Sequence, residues 1–303
     1  MKKTVILSIL TAMLFLANSP KVNAQEATSL NDSETIKKFM EQAPSELIEL
    51  YEEQNFIIGP DWFDDDGNLI PIVDVDVKYI ETKTYISSDG EESNITSERE
   101  LTAKEYAEWT PIQTRAACTS PPWGVADCWE TTAKRIFMLV RAYEDGTERL
   151  DAINQWKTMP SVRSYDTIGI IYNDFDVITA WGRQWYNTAS NTENQNIVYD
   201  YQGTNMKIST DEQSGISISQ NIVDDVYSVL QNDIYIAGYQ GYYMQAAASY
   251  QHAVTNITLE TSKNFVFDAW NGMGRVFNWN TSWDKWDNMQ GVCVNFTDYL
   301  WVC

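Results

Sequence analysis

Four cysteines, one histidine and a run of tryptophans are the residues of this 303-residue chain whose types and spacing could do chemistry. Cys118 and Cys128 stand ten apart, and so do Cys293 and Cys303. An even set of cysteines suits an exported, oxidised fold, and arithmetic allows three connectivities. The matched spacings favour two local bridges, Cys118 to Cys128 and Cys293 to Cys303, each contributing about 2–4 kcal/mol. Crossed pairing of the two segments is the alternative, because first and last strands are often neighbours in sandwiches. His252 is the only histidine, so a zinc site built on several histidines is excluded and a Ser-His-Asp triad would have to use this one residue. There is no nucleophile elbow, Walker loop or HExxH motif, and oxidised cysteines leave no thiol nucleophile. His252 therefore reads as a structural residue on a strand. Asp174 and Asp176 share a strand face at i, i+2, whereas the carboxylates of a glycosidase face each other across a cleft; a solvated acidic turn is the simpler reading.

Between Trp270 and Trp286 the chain carries Trp270, Trp279, Trp283 and Trp286 among Asn271, Asn278, Asn280, Asp284 and Asp287. Flat aromatic faces beside amide and carboxylate acceptors suit sugar recognition, since the apolar face of a pyranose stacks on the ring while its hydroxyls seek polar partners. The spacing of 279, 283 and 286 also fits one face of a short element packed into the core. Asp64, Asp66 and Asn68 gather hard oxygen ligands around Gly67, the chemistry calcium uses. Read as an EF-hand, however, the loop puts Trp62 at the first ligand position and Val73 where the bidentate glutamate belongs, so an acidic turn without an ion competes with weak calcium binding.

The charge balance narrows the partners. Lys2-Lys3, an uncharged run from Thr4 to Ala17 and the small-residue pattern Val22-Asn23-Ala24 mark residues 1–24 as a secretory signal peptide. The apolar run is too short to span a membrane comfortably, and no second such run follows. The whole chain has a net charge of −22, and removing the signal takes away Lys2, Lys3 and Lys21 but no acid. Nucleic acid and anionic membrane are disfavoured as partners; a neutral polysaccharide or cell-surface glycan, a basic protein or a bound cation suits the charge better. Acidity that only keeps an exported protein dispersed is the plain alternative.

The positioning elements divide near residue 115. Residues 25–115 form an acidic α+β N-terminal region without cysteine; residues 116–303 form a disulfide-stapled β domain with every tryptophan except Trp62 and Trp109. In the first region Ser33 and Ser45 each start a short helix, the first ending before Pro44. Val73 to Ile80 alternates as a strand whose partner is Lys83 to Ser87 or Asn94 to Leu101, and Thr102 with Glu105 makes a capping box. In the second region Asp145-Gly146 closes a hairpin between Lys134–Glu144 and Thr147–Lys157, with a helix over Thr131 to Tyr143 as the alternative. Alternation gives the first of these strands two buried faces. Further strands are expected over Tyr165–Ile171, Val177–Tyr186, Ile197–Tyr201, Met206–Ser209, Ile216–Ile222, Ile234–Tyr239, Tyr242–Val254, Thr258–Phe267, Arg275–Trp279 and Val292–Val302. Ala246-Ala247-Ala248 could equally be helical. So many short strands predict a mainly β protein with a β-sandwich or jelly-roll-like core.

The runs Cys128-Trp129-Glu130-Thr131, Trp156-Lys157-Thr158-Met159-Pro160 and Arg163-Ser164-Tyr165-Asp166-Thr167-Ile168 resemble a pattern in uncharacterised secreted β-rich proteins of Gram-positive bacteria. The resemblance implies export and a β-rich body and carries no activity. The expectation is a secreted, extracellular, non-catalytic binding or structural protein that contacts glycan through Trp270, Trp279, Trp283 and Trp286. A carboxylate-dependent glycan hydrolase and a secreted toxin or effector are the competing classes.

Overall fold

The computed structural model describes residues 33–54, 57–86, 92–110, 128–160, 162–210, 214–270, 275–280, 285–287 and 290–295. The signal peptide, Cys118, Cys303 and Trp283 lie outside the described residues.

The Asp145-Gly146 turn forms as its residue types require. Gly146 takes φ +83°, its N–H donates to the Tyr143 carbonyl, and Tyr143 N–H donates to Thr147 O. It joins β3 (Cys128–Ala142) to β4 (Glu148–Trp156), so the helical alternative for this stretch is not adopted. On β3, Ile136, Met138 and Val140 enter one core and Phe137 and Leu139 another. At about 1.5–3 kcal/mol for each large side chain buried, a strand with two apolar faces belongs at the centre of the molecule.

Before β3 come α1 (Ser33–Gln42), α2 (Ser45–Gln54), a 3-10 turn at Pro60–Trp62, β1 (Ile72–Ile86), β2 (Glu92–Leu101) and α3 (Ala103–Glu108). Of the two partners offered for β1, Asn94–Leu101 pairs with it, while Lys83–Ile86 prolongs β1 itself. No turn residue separates Tyr79 from Lys83, and pairing with both β2 and β3 carries the strand on. The capping box of α3 is complete: Glu105 N–H donates to Thr102 Oγ1 and Thr102 N–H to Glu105 Oε2. The compositional boundary near residue 115 falls between α3 and β3, yet β1 pairs with β3 from Ile86↔Cys128 to Ile72↔Arg141. The sheet runs across it.

After β4 the chain continues through β5 (Tyr165–Thr188), β6 (Gln195–Tyr199), β7 (Met206–Ser209), β8 (Gly215–Asn221), β9 (Val226–Gln251), α4 (Leu259–Ser262), β10 (Phe265–Trp270), β11 (Arg275–Trp279) and β12 (Gln290–Asn295). Among the described residues ten strands form one antiparallel sheet along the path β2-β1-β3-β4-β9-β5-β8-β7, with β12 on β9 and β6 on β5; β10 and β11 form a separate pair. Two expectations merge in each of β5 and β9, which run 24 and 26 residues. The Asn173-Asp174 signal produces a bulge and a positive φ at Asp174 instead of a break, and Ala246 to Ala248 lie in β9 as strand.

Both long strands bend. The first half of β9 pairs with β4, its second half with β12, and the sheet folds back on itself as a sandwich. Ile136 and Leu150 of one layer share a core with Ile168, Ile218, Ala248 and Val292 of the other. The layers touch closely where Gly182 on β5 faces β8: a Cβ there would sit 2.3 Å from Ile218 Cδ1. Outside the first layer α1, α2 and the 3-10 turn bring Phe39, Leu47, Tyr51 and Trp62 onto Phe137, Leu139 and Ile153. Outside the second lies the β10–β11 hairpin, with Phe265, Phe277 and Trp279 against Ile171 and Ala253.

Candidate functional site

The β10–β11 hairpin holds the tryptophan segment. Alternation along it sends Phe265, Phe267, Phe277 and Trp279 inward and leaves Val266, Asn278 and Asn280 exposed. Trp279 and Trp286 are both buried, stacked with ring centroids 3.9 Å apart, and Trp279 Nε1 donates to Gln251 Oε1 at 2.6 Å. These two indoles are part of the core, so the expectation that they offer open faces is corrected: packing on Phe265 and Ala253 removes them from water. Trp270 ends β10, opposite Arg275.

On the outward face Asn278 Nδ2 donates to Asp268 Oδ2 at 3.2 Å, beside Val266, which is 50% exposed. At the foot of the hairpin an open groove of about 730 Å³ is lined by Thr204, Leu259, Glu260, Thr261, Lys263 and Asn264. Asn264 joins groove to hairpin, since its carbonyl accepts the Asn280 N–H at 3.1 Å. The groove residues were missed in the sequence because Thr258–Phe267 reads as one strand. In the structure Thr258 caps α4, accepting the Thr261 N–H, and the strand starts only at Phe265. The Thr258-x-x-Thr261 spacing was the available signal.

His252 follows β9 and is buried, as expected of a structural residue. Its Nδ1 lies 2.8 Å from Asp166 Oδ1 and its N–H donates to Asp287 Oδ1 at 2.8 Å. Tyr250 Oη donates to the other Asp166 oxygen and accepts from Trp156 Nε1 at 2.9 Å and Asn232 Nδ2 at 3.2 Å. Lys134, projecting from β3 between the layers, contacts Asp287 Oδ2 directly and lies 3.9 Å from Glu98 Oε1; its Nζ is 5.0 Å from the Trp156 ring centre and 5.6 Å from that of Tyr250. Burial pushes the Asp287 carboxyl upward while the Lys134 charge opposes it, and burial raises the Tyr250 phenol well above its ordinary range.

A second charged array lies on the outer face of the first layer. Asp151 accepts from Arg149 Nε at 2.5 Å and from Arg141 Nε at 2.5 Å. Asp61, from the 3-10 turn, takes Arg149 Nη2 at 3.2 Å and Arg183 Nη1 at 3.0 Å. Burial alone would raise the Asp61 carboxyl, but Arg149, Arg183 and Arg141 together hold it below its ordinary value. The Arg141 guanidinium lies 3.9 Å from the Trp62 ring centre, a cation–π contact. These ion pairs pin the N-terminal turn to the sheet.

Asp64, Asp66 and Asn68 sit on an exposed turn. Asp64 Oδ1 accepts the N–H groups of Asp66 and Asn68 at 3.0 and 2.7 Å, and Oδ2 accepts Asn68 Nδ2 at 3.1 Å, bonds that shape the turn. No group of three or more His, Cys, Asp and Glu placed to hold a metal occurs among the described residues. Cys293 is disulfide-bonded and no described cysteine is free. Asp174 and Asp176 are exposed at the bend of β5. No described helix is long and apolar enough to cross a membrane.

No known protein family and no curated protein matches the chain. Among solved structures it bears a weak likeness to the C-terminal domain of the antigen I/II-family protein AspA of Streptococcus pyogenes, with 6% identity, 62% of this chain and 92% of that one covered, and a TM-score of 0.24. The C-terminal domain of the Streptococcus agalactiae antigen I/II polypeptide BspA is similar at 6% identity, 62% and 93% coverage, and a TM-score of 0.23. The enzymatically active domain of tailspike protein 4 of bacteriophage CBA120 is similar over 35% of this chain and 14% of that one, at 9% identity and a TM-score of 0.21. Likeness at this distance carries no assignment of function.

Proposed function

We propose that the chain is a secreted binding or structural protein that holds a neutral polysaccharide along the groove and outer face of the β10–β11 hairpin. The observation that carries this reading is the continuity of the two surfaces: a groove lined by hydroxyl, amide and charged side chains leads through Asn264 and Asn280 to a face bearing Val266, Asp268 and Asn278. Polar groups that accept and donate around a small apolar patch match the two chemistries of a sugar ring. The contacts from the tryptophan segment are assigned to Trp270 and Trp283, with the Trp279–Trp286 stack as buried support. Each subsite contributes modestly, so several must act together.

Retention on insoluble neutral polysaccharides tests the reading. The wild type is expected to be retained, and Trp270→Ala with Trp283→Ala, or Glu260→Ala with Asn264→Ala, to lose retention at an unchanged thermal midpoint. A wild type that passes unretained over every cell-wall and plant polysaccharide tried, or variants retained as well as wild type, would sink the proposal.

A further inference from the structure

The interlayer cluster around Lys134 has a composition that hydrogen bonding alone does not require. An ammonium and a carboxylate are held in contact at 0% exposure on both sides, enclosed by the Trp156 and Tyr250 rings, with a second carboxylate 3.9 Å from the nitrogen. A buried pair of this kind loses both hydration shells, and their mutual attraction recovers the loss only in part. Conversion to a neutral group removes that cost.

We propose that Lys134 and Asp287 are joined in the mature protein by an intramolecular amide bond, formed by the fold itself. In this fully buried site proton transfer within the pair gives the neutral amine and the carboxylic acid, and burial of Asp287 favours its protonated form. The Nζ lone pair attacks Asp287 Cγ. Oδ1, which accepts the His252 backbone N–H at 2.8 Å, carries the developing negative charge. The Glu98 carboxylate accepts one proton from Nζ and returns it to Oδ2, which departs as water. One C–N bond forms and one C–O bond breaks, with no oxidant or reductant, and the amide carbonyl stays on the His252 N–H. Folding supplies the proximity that makes an otherwise slow condensation intramolecular.

The placement gives the bond a use. Lys134 belongs to β3, in the sheet layer beneath the N-terminal helices, and Asp287 lies just before β12, which pairs with β9 in the other layer. An amide between them would fasten the two layers through the C-terminal segment, beside the disulfide-bonded Cys293. A surface protein under proteolysis or traction would keep its sandwich closed.

Mass spectrometry of the intact, fully reduced and denatured protein decides the matter. The mass is expected to fall short of that of residues 25–303 by one water molecule, and a tryptic digest to yield one branched peptide containing both Lys134 and Asp287. The full mass of residues 25–303, with the two peptides released separately, overturns the proposal. Glu98→Gln is expected to fold with an unchanged circular dichroism spectrum but to show the full, unlinked mass; a linked Glu98→Gln protein would overturn the assigned proton path.

Discussion

Asp233 is fully buried on β9, where Oδ2 accepts from Trp185 Nε1 at 2.8 Å, Tyr235 Oη at 2.8 Å and Gln231 Nε2 at 3.2 Å, while Oδ1 has no hydrogen-bond partner. Burial outweighs the Tyr235 and Gln231 hydrogen bonds and the nearby Arg183, raising the carboxyl to about 7. Its folded value thus lies above its unfolded one. Between the two the folded state holds a proton that the unfolded chain has released, so stability falls as pH rises through that window, by at most roughly 1.4 kcal/mol per pH unit. Glu148, raised to about 7 by burial, acts in the same direction. Asp61, held low by its arginines, acts oppositely and loses its contribution in acid. Asp233→Asn keeps an oxygen for the three donors and removes the titration. Urea midpoints should therefore show the variant gaining on wild type from pH 4 to pH 7 and keeping a constant lead above. An advantage independent of pH would place the effect in packing.

At the scale of elements the sequence was most legible where one short signal controls one element. The Asp145-Gly146 hairpin, the Thr102–Glu105 capping box and the serine-started α1 and α2 all formed at their expected places. It was least legible where a turn signal serves a bend inside a strand. Asn173-Asp174 and Gly241 look like breaks, yet β5 and β9 stay paired with each other on either side of them, from Asn173↔Gln245 to Phe175↔Gln240. The burial of Trp279 and Trp286 was similarly hidden, because a dense tryptophan segment is compatible with either an open face or a stack. The two bend glycines differ in a testable way. A Cβ on Gly238 would meet the Asp176 backbone oxygen at 2.2 Å, whereas one on Gly241 would meet the Asp174 carboxylate at 1.9 Å. Backbone in a sheet cannot yield, but the end of an exposed side chain can. Gly238→Ala is therefore expected to cost about 1–3 kcal/mol, and Gly241→Ala less than about 0.5 kcal/mol. Chemical denaturation of both variants checks the order, and equal losses would count against this account of the bend.

For the whole molecule the decisive question is whether the cysteine-bearing body, residues 116–303, stands without what precedes it. On β3 and β4, Phe137, Leu139 and Ile153 are wholly buried, and the side chains that cover them are Phe39, Leu47, Tyr51, Ile58 and Trp62. Exposing those three alone forfeits roughly 5–9 kcal/mol at 1.5–3 kcal/mol each, comparable with the 5–15 kcal/mol that typically holds a domain folded. Removing β1 also turns β3 into a long apolar edge, open from Thr131 to Arg141, which invites pairing between copies. Arg149 and Arg183 lose Asp61 at the same time. A chain of residues 116–303 is accordingly expected to aggregate or to lack the near-ultraviolet circular dichroism of the full protein. Asp61→Ala should isolate the electrostatic share: the side chain is 17% exposed, so its loss is expected to fall below the 3–5 kcal/mol of a fully buried pair, at about 1–3 kcal/mol. A soluble, monomeric 116–303 fragment with a cooperative transition near that of the intact chain would show that the helical layer and β1 are dispensable cover, and that the two cores communicate far less through β3 than their shared strand implies.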